Sequence, residues 1–216
     1  MRRLSFVGLL GVLAAAAGCG SPPELAFPAF DPDDLKGNAR RFHEKPANKS
    51  ESAEQIPLRF IALDGTTVDL ASFRGKSNVV LVIVKGMPHA YNGAFCPGCR
   101  AQLNALAANY EQFKARDAEI LMVFPGPTDQ VPEFLVKGQV DGAGGNPKLP
   151  FVLLTDTDLK AVDTLGIRGD LAKPSTYILD KKGNPVFAYV GGVKESFDRP
   201  SVKALLDQLD KLNATK

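Results

Sequence analysis

The chain opens on two basic residues, Arg2 and Arg3, and an apolar run from Leu4 to Ala17 broken only by Ser5, Gly8 and Gly11. At 14 residues that run is too short to cross a bilayer as a helix and has the form of a targeting signal. From Gly20 to Gln55 the pattern turns polar, rich in Pro, Asn, Ser, Lys and Glu, and predicts a tether without secondary structure. Phe27, Phe30, Leu35 and Phe42 interrupt it and are placed to strap its middle onto a folded surface. Periodic structure begins at Ile56. Leu58–Leu63 and Thr67–Leu70, joined through Asp64-Gly65, predict a β-hairpin. The unbroken run Val79–Val84 predicts a strand buried on both faces, taken as the central one. A loop from Lys85 to Phe95 leads to a helix with Leu103, Leu106, Ala107, Tyr110 and Phe113 on one face, then a strand at Glu119–Phe124. A short helix over 128–139, a Gly-rich surface loop at Asp141–Asn146, a strand at Phe151–Thr155 and a helix at Asp158–Leu165 follow. A second hairpin, Thr176–Asp180 with Val186–Val190, precedes a last helix that carries Val202, Leu205, Leu206, Leu209 and Leu212, with Pro200 in its first turn. Helix and strand alternate in the middle and hairpins stand at the edges. This order predicts an α/β domain with a mixed sheet between helices.

Composition changes this picture little. Of 26 basic residues, Arg2 and Arg3 lie in the leader, and the other 24 balance 24 acidic ones. A neutral domain gives no electrostatic case for nucleic acid. The Gly-rich loop lacks the Gly-Lys-Ser/Thr ending of a phosphate cradle.

The three cysteines change it a great deal. Cys96 and Cys99 form a Cys-x-x-Cys pair at the junction of loop and helix, a spacing that serves redox chemistry or metal binding. Cys19 follows Ala16-Ala17-Gly18, which resembles the lipobox of bacterial lipoproteins, whose cysteine is lipidated and becomes the new N-terminus. That resemblance divides the chain into a signal peptide (1–18), a tether (19–55) and one domain (56–216), exported and anchored to a membrane facing the periplasm or cell exterior. It also leaves Cys96 and Cys99 as the only thiols of the mature domain.

Leu63–Lys76, Phe95–Leu103, Leu165–Arg168 and Pro174–Gly183, in that order, resemble the thioredoxin-like fold in its redoxin branch. That branch comprises the alkyl hydroperoxide reductase/thiol-specific antioxidant (AhpC/TSA) family and membrane-tethered thiol-disulfide oxidoreductases. The resemblance implies a central mixed sheet flanked by helices with an N-terminal hairpin extension, and an oxidoreductase that needs no cofactor. Its partners are protein or small-molecule thiols and disulfides, with an electron donor or acceptor that the sequence does not name. By the same resemblance Pro174 is a cis-proline shaping a substrate groove with Pro97 and Lys173, and Lys173 brings its charge near Cys96.

The chemistry also follows from spacing. Residues i and i+3 share a helix face, so Cys96 and Cys99 can close a disulfide with little movement. Cys96, at the helix start, meets unsatisfied N–H groups and the positive end of the dipole, which favour the thiolate nucleophile. Cys99, one turn inside, is the resolving thiol. Pro97 suits a first turn that needs no N–H from it.

Thiol-disulfide exchange, thiol peroxidase activity and copper delivery compete for this site. Peroxidatic relatives carry Thr or Ser three residues before the reactive cysteine, where this chain has Gly93. They carry an arginine near the position of Pro174, and Arg168 and Arg100 are off-place substitutes. Both departures favour disulfide exchange. Met87 and His89 with the two cysteines offer soft copper ligands, but copper chaperones of this fold space their cysteines one residue wider and add a later histidine. Here the histidines are His43 and His89. No acid lies within Val79–Val84 to assist a thiol; Lys85 follows instead, and the loop 85–94 is expected to form a lid or substrate rim.

Overall fold

The computed structural model describes Phe42 and residues 59–87, 96–137, 149–194 and 197–214. The leader with Cys19, the rest of the tether, the approach loop beyond Met87 and the Gly-rich loop lie outside the described residues.

Seven strands form one mixed sheet: β1 (Arg59–Ala62), β2 (Thr67–Asp69), β3 (Asn78–Ile83), β4 (Ala118–Pro125), β5 (Val152–Asp156), β6 (Ser175–Leu179) and β7 (Pro185–Val190). Their order across the sheet is β2-β1-β5-β4-β3-β6-β7. β3 and β5 run parallel to β4; β6, β7 and the hairpin β1–β2 are antiparallel additions at the two sides. β3 is buried at every position, as its apolar run requires, yet β4 is the middle strand. A continuous apolar run reports that both faces are covered, not how many strands lie on either side.

The helices are α1 (Pro97–Ala108), α2 (Tyr110–Lys114), α3 (Val131–Lys137), α4 (Lys160–Thr164) and α5 (Val202–Ala214). The single helix expected after the cysteines is broken at Asn109, which donates both its backbone N–H and its side-chain amide to Ala105 O. Alternate residues of the strands feed two cores. Val80, Val82, Ile120, Met122, Ile178 and Tyr189 pack against α1, α2, α3 and α5. Val79, Leu81, Leu121, Val123, Tyr177 and Leu179 pack against α4 and the 3-10 turn Leu70–Phe73.

Two local differences bear on the site. The last helix begins at Val202, not at Pro200: Ser201 Oγ accepts the Ala204 N–H and caps it. Pro200 and Arg199 therefore belong to the connection that precedes it. Of the four apolar tether residues, Phe42 is described, and it is buried edge-on against Phe197 of that same connection, with ring centroids 5.9 Å apart. Among the described residues no helix is long and apolar enough to cross a membrane.

Candidate active site

The site lies at the carboxyl end of the parallel pair β3/β4, where open α/β sheets place their chemistry. Beyond β3 the chain turns at Lys85-Gly86. Gly86 has φ +78°, and a Cβ there would stand 2.7 Å from Pro125 O at the end of β4, so glycine is required. The turn aims the Lys85 N–H at the Cys99 sulfur, 3.4 Å away, and sends Lys85 Nζ to Val193 O at 3.0 Å.

Cys96 is the N-cap residue of α1, with exposed Pro97 next inside; its carbonyl accepts the Cys99 and Arg100 N–H groups. Cys96 is half-buried and Cys99 only 1% exposed; both are free thiols. Between them stands a cation that the sequence reading missed. Arg199 is 1% exposed, and its Nη2 lies 3.0 Å from Cys99 Sγ and 3.3 Å from Cys96 Sγ.

Its mount is visible in detail. Just past the end of β7 stands Gly191, whose N–H donates to Pro174 O, and a Cβ on Gly191 would come within 2.1 Å of Asp198 O. The Asp198 carboxylate accepts the Tyr189 hydroxyl and the Gly192 N–H at 2.8 Å. The connection is thus folded back on the end of β7, and Arg199 is carried onto the sulfurs.

The electrostatics separate the two thiols. The hydrogen bond donated by the Cys99 thiol, the charge of Arg199 and the hydrogen bonds from the Cys99 N–H and the guanidinium together outweigh burial. They lower Cys96 to about 4. Cys99 moves the opposite way, well above its ordinary value, because it is buried and because its proton is held by Cys96. Burial opposes the charge of Arg199, and the charges and hydrogen bonds of Cys99 and Cys96 outweigh it. The arrangement is a ready nucleophile on the accessible sulfur and a protonated reserve beneath it.

The structure brings Cys96 and Cys99 together at the start of α1. Pro174 is buried at the head of β6 and Lys173 half-buried before it, at the same end of the sheet. The Lys173–Pro174 bond is trans, correcting the cis-proline that the resemblance implied. Pro174 O instead receives the Gly191 N–H, so it anchors the Arg199 connection. The cation at the sulfurs is Arg199; Lys173 gives its backbone N–H to Ile167 O. Of the other arginines weighed, Arg168 is paired with Asp163 on the surface and Arg100 is half-buried on α1. Met87 is buried in the same core as Cys99, while His89 and Gly93 fall outside the described residues. Among the described residues no three His, Cys, Asp or Glu side chains converge as a metal site.

One signal for Arg199 was present in the sequence. A cation just ahead of a helix is on the wrong end of the dipole, so Arg199 before Pro200 and Ser201 gains from an anionic partner elsewhere.

A paired-thiol helix start on this sheet defines a thioredoxin-like protein. The chain belongs to the AhpC/TSA family, whose model matches residues 50–186. Peroxiredoxin Q of the rice chloroplast (Oryza sativa subsp. japonica) is 31% identical over 146 residues, 66% of this chain and 58% of its own. The chain therefore spans less than two thirds of that relative. The thiol-disulfide oxidoreductase ResA of Halalkalibacterium halodurans is 27% identical over 133 residues, 62% of this chain and 64% of its own. Among solved structures, a mutant of peroxiredoxin 6 from Arenicola marina superposes with a TM-score of 0.62 at 14% identity, covering 78% of this chain and 75% of that one. At that identity the likeness speaks for the fold.

Proposed function

We propose that this protein is a thiol-disulfide oxidoreductase that works through Cys96 and Cys99, tethered to a membrane by a lipid on Cys19 and acting on extracytoplasmic thiols and disulfides. The observation that carries the reading is the placement of the sulfurs: half-buried Cys96 caps α1, Cys99 is buried one turn inside, and Arg199 lies within 3.3 Å of both, which favours a thiolate on the accessible sulfur and a proton on the buried one. Cys96 attacks a substrate disulfide, forming a mixed disulfide and expelling one substrate thiolate. Cys96 then no longer accepts the Cys99 proton or repels its charge, and Arg199, 3.0 Å away, favours the Cys99 thiolate. Cys99 attacks Cys96 Sγ, closes the internal disulfide and releases the second substrate thiolate. The reverse sequence oxidises a dithiol.

Peroxide reduction is the second reading, favoured by the guanidinium at Cys96, a donor that can also polarise an O–O bond, and by the peroxiredoxins among the relatives. In it the Cys96 thiolate takes one peroxide oxygen as sulfenic acid and releases an alcohol, and Cys99 condenses with it to a disulfide and water. Counted from Cys99, the position that peroxidatic relatives fill with Thr or Ser is Cys96 itself; that register would place the peroxide-attacking role on the buried, protonated sulfur. A guanidinium within reach of both sulfurs also opposes a copper ion between them.

The test is to follow disulfide exchange with a dithiol or disulfide substrate alongside hydroperoxide consumption with a thiol reductant. Exchange lost in Cys96→Ser with slow peroxide turnover is expected. Rapid peroxide consumption lost in the same variant overturns the first reading in favour of the second. For the anchor, labelled acyl chains are expected on the full chain and absent from Cys19→Ala.

A further inference from the structure

Thiol chemistry at this site can run in either direction, and the surroundings of Arg199 bear on which. The guanidinium is withdrawn from water, with Nη2 at 3.0 and 3.3 Å from the two sulfurs. A second donor, the Lys85 N–H, points at Cys99 Sγ from the end of β3. Neither donor is free to follow solvent. Arg199 is fixed between Asp198, held by Tyr189 and Gly192, and Ser201, the cap of α5. Lys85 is fixed by Nζ on Val193 O and follows Val84, whose N–H donates to Val123 O.

We propose, resting on the disulfide-exchange reading, that Arg199 sets the redox poise of the Cys96/Cys99 pair by favouring the dithiol, so that the disulfide form is an oxidant of substrate dithiols. In the reduced pair the guanidinium faces the Cys96 thiolate and forms a charge-assisted hydrogen bond with it, while the Lys85 N–H points at the Cys99 thiol. In the disulfide both sulfurs are neutral and weak acceptors, while the buried charge stays where it is. The change between the two forms is made at the sulfurs beside the guanidinium, and it favours reduction. The four-residue ring closed by Cys96 and Cys99 opposes this only weakly, because short loops gain least from a cross-link. The reaction balances: the Cys96–Cys99 disulfide and two substrate thiols give the Cys96 thiolate, the Cys99 thiol, a substrate disulfide and one proton released to solvent. Two electrons pass from the substrate to the pair.

The experiment equilibrates the full chain with glutathione buffers of graded ratio, as wild type and as Arg199→Met. Loss of the cation is expected to move the equilibrium constant toward the disulfide by tenfold or more, about 30 mV; a change under twofold overturns the proposal. The wild-type chain alone gives a second test that needs no variant to fold. Near neutral pH its reduced form is expected to unfold at a higher urea concentration than its oxidised form; a higher midpoint for the oxidised form overturns the proposal. The two readings fail separately. If peroxide rather than disulfide proves to be the co-substrate, the function changes while the shift in Arg199→Met stands. If exchange is fast and Arg199→Met leaves the equilibrium unchanged, only the role of Arg199 falls.

Discussion

Cys96 carries the sharpest pH signature in the molecule. Its folded value of about 4 lies below its ordinary value of 9.0, so in the reduced protein the unfolded chain binds the extra proton between those limits. Stability from this group is therefore complete above about pH 9, declines as pH falls and is gone below about pH 4. Urea midpoints of the reduced protein are expected to rise from pH 5 to pH 8 relative to those of Cys96→Ser; parallel profiles would show that Cys96 is an ordinary thiol. Alkylation by iodoacetamide should remain fast down to pH 6, where a thiol at its ordinary value reacts slowly. Asp198 acts one step behind. Asp198→Ala removes the acceptor of the Tyr189 hydroxyl and the Gly192 N–H, and a loss of about 1–3 kcal/mol in denaturant unfolding is expected. With its mount loosened, Arg199 should hold Cys96 less firmly, and the alkylation profile should move to higher pH. An unchanged profile would separate Asp198 from the site.

The connection between β7 and α5 explains what pattern reading reached and what it missed. Alternation and apolar runs gave the two hairpins, the buried strands and the amphipathic last helix, because each depends on neighbours in sequence. They gave Cys96 and Cys99 for the same reason. Arg199 is 103 positions from Cys96, and nothing in its local pattern says that it is buried. Placing the helix start at Pro200 hid it further, by setting Arg199 at the mouth of a helix, when Ser201 is the cap and Arg199 is left in the irregular connection before it. Pro174 shows the opposite failure: the resemblance fixed its place at the head of β6 but not its isomer, which is trans here. That turn depends on Gly191, where a Cβ would collide with Asp198 O at 2.1 Å. Gly191→Ala is expected to cost about 1–3 kcal/mol through forced backbone movement and to slow Cys96 alkylation at pH 6. Full stability together with wild-type alkylation would mean that the turn tolerates the methyl group.

Across the whole chain, the contact between Phe42 and Phe197 joins a residue ahead of the sheet to the connection that bears Arg199. An aromatic pair of this geometry is worth about 1 kcal/mol beyond the area it buries. Phe42→Ala is accordingly expected to lower stability by about 1–3 kcal/mol and to speed hydrogen exchange at the Arg199 and Ser201 amides above that of distant β4 amides. Uniform exchange across both would place Phe42 outside the support of the site. The separation of Cys96 from Arg199 has a further consequence, in time rather than in space. A chain made from its N-terminus presents both cysteines about a hundred residues before the arginine exists. Until the connection that bears Arg199 folds back, Cys96 lacks the share of its thiolate stabilisation that the guanidinium supplies. The full reactivity of the sulfur thus waits on completion of the fold.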